Sequence, residues 1–155
     1  MPRSVACTVR TASRAETVQF GTALGTRIRH GMCVCLTGPL GAGKTALVSG
    51  LCRGLGVTDR VVSPTFILLE RFAGRLPVVH VDLYRLEHER ELEDIGVFDT
   101  LGTDAVLLAE WGERSPGLLR AADIVIEIEP GDGDARTLVV SATPPLAADL
   151  AGCPW

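Results

Sequence analysis

The chain has 155 residues, 15 basic against 19 acidic side chains, a net charge of −4 and a pI near 5.3. That length suits one domain with a substantial core, and the acidic balance excludes a protein that grips nucleic acid by its own electrostatic footprint, so a nucleic-acid role would need a partner. Hydrophobic residues at 46% and charged ones at 22% are ordinary for a globular domain, while aromatics at 5% point to a core of small aliphatic side chains.

Residues 4–10 alternate Val5, Cys7 and Val9 with polar neighbours, the pattern of a half-buried strand. Ser13-Arg14-Ala15-Glu16 has capping-box spacing, and Val18, Leu24 and Ile28 share a helical face that Gly31 would end. Thr17, in the first turn, reads on physics alone as an ordinary exposed threonine. An apolar strand-like run at 32–37 opens onto Gly38-Pro39-Leu40-Gly41-Ala42-Gly43-Lys44-Thr45, a complete G-x-x-x-x-G-K-[ST] loop. Small residues let successive N–H groups turn inward around a phosphate, Lys44 neutralises its outer oxygens, and Thr45 offers a hydroxyl to Mg²⁺. Lys44 is the only lysine among the 15 basic residues, which suits a site that needs a compact ammonium where a guanidinium fork would not serve. From 46 to 55, Leu47, Leu51 and Leu55 line one face of a predicted helix. Strand, phosphate loop and helix thus arrive in the order a nucleoside-triphosphate site requires.

Gly54 and Gly56 stop that helix, and 58–65 reads as a loop ended by Ser63-Pro64-Thr65, with Pro64 stiffening the segment. Two readings of Thr65 stand side by side: the first residue of the next strand, or a loop threonine that senses a γ-phosphate. The apolar runs 66–69 and 78–81, joined through Ala73-Gly74, read as a hairpin of strands ending in Asp82. Asp82 is either an acid at the ligand-binding carboxyl edge of a sheet or a solubilising charge at a strand end. His80 reads more readily as a packed or surface imidazole than as a catalytic base.

Residues 87–95 form a predicted surface helix stopped by Gly96, and 105–109 repeats the pattern of apolar strand followed by acid, here Glu110. A divalent ion beside phosphates needs such oxygen ligands. Trp111 either packs at half burial or shapes the site. Residues 113–120 read as a loop, 123–140 as a β-hairpin turning at 131–134, and 144–155 as a Pro/Ala-rich C-terminal tail with room for a short helix. The five cysteines, odd in number and lacking C-x-x-C spacing, read as reduced and mostly buried thiols. With neither a signal h-region nor a long apolar span in view, the expectation is a cytoplasmic protein without a membrane role.

Glu16-Thr17, the loop from Gly38 to Thr45, Ser63-Pro64-Thr65-Phe66, His80-Val81-Asp82-Leu83-Tyr84-Arg85, Glu91-Leu92-Glu93 and Glu110-Trp111 together resemble the TsaE family, small bacterial ATPases of tRNA threonylcarbamoyladenosine synthesis. The phosphate loop is shared by many families, whereas the other elements, in this order and at these distances, are far more specific. The resemblance implies a three-layer P-loop NTPase-like α/β domain with a mixed central sheet, spanning 1–155. It implies that Gly41, Ala42, Gly43 and Lys44 hold the phosphates of ATP, that Thr45 and Glu110 bind Mg²⁺, and that Thr17 approaches the adenine end. Thr65 would lie in a switch-like loop, Asp82 and Lys44 would be needed for hydrolysis, Trp111 would flank the site, and Arg136 would approach the nucleotide. TsaD and TsaB homologues are the implied partners, reset by ATP hydrolysis, with tRNA met only through that complex. Ala46 departs from the pattern, because many members carry a second hydroxyl there that can contact the α-phosphate; weaker nucleotide binding follows. The competing function is a small P-loop kinase acting on a small-molecule acceptor, for which Arg85, Arg90 and Arg114 would have to supply a lid although no lid insertion is visible. A nucleotide-dependent scaffold is a third reading.

Overall fold

The structure, a computed structural model, describes residues 2–61 and 69–155. In chain order the strands are β1 (Ser4–Thr11), β2 (Cys33–Thr37), β3 (Leu69–Ala73), β4 (Pro77–Asp82), β5 (Val106–Glu110), β6 (Ile124–Pro130) and β7 (Arg136–Ala142). The α-helices are α1 (Arg14–Gly25), α2 (Lys44–Gly54), α3 (Arg90–Asp94), α4 (Pro116–Ala121) and α5 (Pro144–Ala151).

The strands form one mixed sheet in the order β1-β7-β6-β2-β5-β4-β3. Its centre is parallel, β2 lying between β5 and β6 with β4 beside β5, while β3, β7 and β1 pair antiparallel toward the two edges. Strands covered on both faces read as continuous apolar runs, which is why β2 and β5 carry almost no polar residue before their last position. Alternation divides them between two cores. Val34, Leu36, Val106 and Leu108 face α1 and α2, and Cys33, Cys35, Leu107 and Ala109 face a second cluster with Leu83, Leu92 and Leu118. The result is three layers, as expected from the family resemblance.

Ser13 caps α1 in extended geometry (φ −148°, ψ 165°), its Oγ accepting from Glu16 N at 3.1 Å, while Glu16 Oε2 accepts from Ala12 N at 2.6 Å. The helix ends at Gly25, earlier than the expected stop at Gly31; past it the chain tightens into three-residue turns, Arg27 N donating to Leu24 O at 2.9 Å and Ile28 N to Gly25 O at 3.3 Å. A second difference lies at 113–120. Pro116 and Gly117 suggest a loop, but Ser115 is an N-cap whose Oγ accepts from Leu118 N at 3.1 Å, with Pro116 at the first helical position of α4. Residues 144–151 are also helical, with Leu146, Ala147 and Leu150 buried.

Helices α1 and α2 meet backbone to backbone. Gly21 and Gly25 on one helix face Gly50 and Gly54 on the other, and a Cβ added at Gly25 would stand 2.5 Å from Leu51 O and 2.9 Å from Gly54 Cα. Spacing of four places each pair on one helical face, so the two backbones meet without intervening side chains. This contact fixes the depth at which α2, and the phosphate loop at its start, sits on the sheet. All five cysteines are free thiols; burial pushes Cys52 up to about 12, and a hydrogen bond with Cys35, then burial, raises Cys33.

Candidate nucleotide site

The parallel strands all end at one edge of the sheet, the edge where open α/β folds receive ligands. Thr37, Asp82 and Glu110 are the last residues of β2, β4 and β5, and Asp82 lies in register beside Glu110. The phosphate loop leaves β2 at this edge. Gly38, Gly41 and Gly43 hold φ of 143°, 76° and 103°, which side-chain-bearing residues rarely adopt. Gly38 is further constrained by space, because a Cβ there would stand 2.6 Å from Ile128 O. Ala42 is buried beneath the loop, its N–H donating to Pro39 O at 3.1 Å.

Lys44 folds back into its own loop. Its Nζ donates to Gly38 O at 2.6 Å and Pro39 O at 2.8 Å, and lies 3.8 Å from the centroid of the Trp111 ring. Only 5% of the residue is exposed. Burial lowers the basicity of this ammonium, against the opposing pull of the Glu113, Glu110 and Asp82 carboxylates. Arg136, at the start of β7, supports the loop from the other side: Nη2 donates to Gly41 O at 3.2 Å and Nη1 to Ala135 O at 2.8 Å.

Thr45 Oγ1 donates to Glu110 Oε1 at 3.0 Å, which joins the first turn of α2 to the end of β5. The second oxygen, Oε2, is 2.8 Å from His80 Nε2, and both residues are buried, His80 completely. His80 Nδ1 is a buried nitrogen without a hydrogen-bond partner. Of the packed and surface positions the sequence left open for His80, the structure has the packed one, with the imidazole against the acid of the site. The periodicity of two along β4 puts His80 and Asp82 on one sheet face, and the register of β4 with β5 adds Glu110 to it. Asp82 Oδ1 accepts from Tyr84 N at 2.9 Å, and Leu83 N donates to Glu110 O at 3.1 Å.

Trp111 is the one non-glycine residue with positive φ among the described residues (φ 60°, ψ 43°). The turn it makes carries the chain away from β5 while keeping its ring over Lys44. Gly112 then passes so close to β2 that a Cβ would stand 2.8 Å from Cys35 Cβ. Tyr84 lies against Trp111 with ring centroids 5.0 Å apart, and the Arg114 guanidinium sits 5.6 Å from the Trp111 ring. Sequence reasoning did not foresee this Tyr84–Trp111–Arg114 stack, which forms only when the ends of β4 and β5 are adjacent.

Thr17 is buried, not exposed: its Oγ1 donates to Ser13 O at 3.2 Å and lies 2.7 Å from Thr11 Oγ1. Thr11 is in register with Arg136 across β1 and β7, so Thr17 belongs to the end of the molecule that holds the loop. Ala46 is buried in the first turn of α2. Thr65 lies outside the described residues. Lys44, Thr45, Asp82, Glu110, Trp111 and Arg136 are therefore brought together around the loop.

The oxygen pair Thr45 Oγ1 and Glu110 Oε1 suits a hard cation such as Mg²⁺. That ion usually takes one or two protein oxygens and fills its remaining positions with water and phosphate. Among the described residues no group of three or more His, Cys, Asp and Glu gathers as a self-sufficient metal site, and a phosphate-bridged ion needs none.

A glycine-rich loop between a central parallel strand and a buried helix, with its lysine turned inward and its threonine on a strand-end acid, defines a P-loop NTPase-like protein. Comparison with known proteins narrows the class. The family model described as threonylcarbamoyl adenosine biosynthesis protein TsaE matches residues 11–138. A tRNA threonylcarbamoyladenosine biosynthesis protein TsaE from Haemophilus influenzae is 42% identical over 119 residues, covering 76% of this chain and 74% of its own. One of the same name from Treponema pallidum is 38% identical over 134 residues, 86% of this chain and 98% of its own. The crystal structure of Bacillus subtilis YdiB superposes with a TM-score of 0.76 at 25% identity, covering 97% of this chain and 93% of that one. The chain belongs to the TsaE family, and so to the proteins of tRNA threonylcarbamoyladenosine biosynthesis. No helix among the described residues is long and apolar enough to cross a membrane.

Proposed function

We propose that the protein binds and hydrolyses ATP with Mg²⁺ as a cytoplasmic subunit of the threonylcarbamoyladenosine system, its turnover resetting a transfer complex of TsaD and TsaB homologues. The observation that carries this reading is the bond from Thr45 to Glu110, which ties the phosphate loop to the strand-end acid at the place where a phosphate-bound cation is held in such folds. Mg²⁺, when bound, would neutralise developing charge on the phosphate oxygens, with Thr45 and Glu110 as its protein ligands.

The chain's own groups take separate parts. The loop N–H groups, with Gly41 and Gly43 in left-handed geometry, turn toward the phosphates, and Lys44 exchanges its carbonyl partners for phosphate oxygens. Asp82 stands beside Glu110 at the same sheet edge, suited to orient the attacking water. Trp111 caps Lys44, Arg136 steadies the loop through Gly41 O, and Thr17 supports the side assigned to the base. Thr65 is assigned to the γ-phosphate side on its sequence context alone. The net charge of −4 supports tRNA contact through partners and not through this chain.

The test follows phosphate release with ATP and Mg²⁺, with and without the TsaD and TsaB homologues. Slow release alone, stimulation by the partners, and loss of both in Lys44→Ala and Asp82→Ala are expected. Release that survives either substitution removes that residue's role. Release that needs a small-molecule acceptor and no partner protein replaces the proposal with a kinase, and binding without release replaces it with a scaffold.

A further inference from the structure

We propose that His80 is a positioning residue that fixes the Glu110 carboxylate, so that Oε1 and not Oε2 is presented to Thr45 and to the cation. The inference rests on the nucleotide and Mg²⁺ reading above and assigns a residue that reading leaves without a part.

A carboxylate accepts hydrogen bonds only, so both of its partners must donate. Thr45 gives its hydroxyl proton to Oε1 at 3.0 Å, and the 2.8 Å contact at Oε2 requires the proton on His80 Nε2. The other ring nitrogen, Nδ1, is buried and has no hydrogen-bond partner. A fully buried imidazole with one nitrogen unsatisfied is a poor choice for packing alone, because burial of an unpartnered polar atom is unfavourable and an aliphatic side chain would avoid it. What the imidazole offers that an aliphatic side chain would not is its one hydrogen bond, to Glu110.

The fold makes this bond specific. His80 precedes Asp82 by two residues on β4, and Asp82 lies in register with Glu110 on β5, so the imidazole reaches the acid from the neighbouring strand within the sheet layer. A side chain anchored in a central strand has little freedom to follow a displaced partner. Were Thr45 and Glu110 to hold a cation, their mutual hydrogen bond would be lost, and the His80 contact would be the side-chain hydrogen bond left to orient the carboxylate. Groups that orient a metal ligand in this way typically carry a 10–100-fold share of metal affinity.

The test compares His80→Gln with His80→Asn. The Gln amide N–H can reach the position of Nε2, whereas the Asn amide stops at that of Nδ1. Binding of a fluorescent ADP analogue is measured in EDTA and across a Mg²⁺ series, and Mn²⁺ binding to the ADP complex is followed by electron paramagnetic resonance. His80→Asn should raise the half-saturating metal concentration about 10–100-fold, with binding in EDTA within about twofold of wild type and His80→Gln recovering most of the loss. The proposal is overturned if His80→Asn leaves metal half-saturation unchanged, or if both variants weaken binding equally with and without metal, which marks a collapsed cleft. Wild-type protein that binds no nucleotide, or binds it identically with and without metal, overturns the underlying reading itself, and that outcome is seen before any variant is made.

Discussion

Gly50→Ala adds one methyl group where α1 and α2 touch backbone to backbone. The new Cβ would collide with Val18 O and stand 3.0 Å from Gly21 Cα and 3.1 Å from Thr22 N. All are main-chain atoms inside a helix, so no side chain can swing away and the helices must separate. Overpacking of this kind costs about 1–3 kcal/mol, while alanine inside a helix returns about 1 kcal/mol relative to glycine. Three close main-chain contacts place the cost toward the upper end, for a net loss of about 2 kcal/mol, or roughly 4–8 °C in Tm for a domain of this size. Differential scanning calorimetry of Gly50→Ala against Gly152→Ala is the assay, because Gly152 has its nearest atom at 3.9 Å and a φ of −84° that alanine accepts. A Gly50→Ala protein as stable as wild type would show that propensity outweighs contact and that the helix crossing is not tight.

Ala46→Thr should tighten ATP binding several-fold in equilibrium titration by restoring a hydroxyl in the first turn of α2; unchanged affinity would show that no α-phosphate contact was missing. Glu89 accepts from Ser115 Oγ at 2.5 Å and Gly117 N at 2.7 Å, and the Ser115 bond, helped by Gly117 and opposed by burial, holds its carboxyl below the ordinary range. A lowered acid contributes stability above its unfolded-state pKa and loses it as pH falls through the folded value. Glu89→Gln should therefore lower Tm at pH 7, and the gap from wild type should close as the pH drops below the ordinary value of 4.5. Nucleotide that draws Lys44 from the Trp111 ring, 3.8 Å away, should change tryptophan fluorescence, a signal kept in Trp155→Phe and lost in Trp111→Phe. Arg136→Ala removes the bond to Gly41 O and should weaken ATP binding by about 1 kcal/mol, roughly fivefold, without abolishing it.

The phosphate loop could be read from sequence because it is a local device, in which backbone geometry, glycine placement and one lysine are set within eight consecutive residues. The acids at the ends of two apolar runs were legible for a similar reason, since a charge directly after a buried strand has few places to go but the sheet edge. His80 was not, because its partner is 30 residues away and becomes adjacent only when β4 and β5 pair in register. Glycines 21, 25, 50 and 54 carried a signal in their spacing, but glycine in a helix suggests an ending before it suggests a contact. Helix α4 was hidden by Pro116 and Gly117, which mark a loop unless the serine before them is recognised as a cap.

The charged groups of the site are already partnered within the chain, and this has a consequence for binding. Lys44 has two carbonyls and a ring, Glu110 a hydroxyl and an imidazole, Arg136 three carbonyls, and Asp82 the N–H of Tyr84. Nucleotide entry is then an exchange of partners and not a first neutralisation of bare charge. Lys44 starts from a buried position, so part of the desolvation needed to meet a phosphate has already been imposed by folding. An arginine at 44 would present a planar fork where two carbonyls and an indole face enclose a compact head, and it could not make the same exchange. The solitary lysine of the sequence is explained at this position by a cage built for an ammonium.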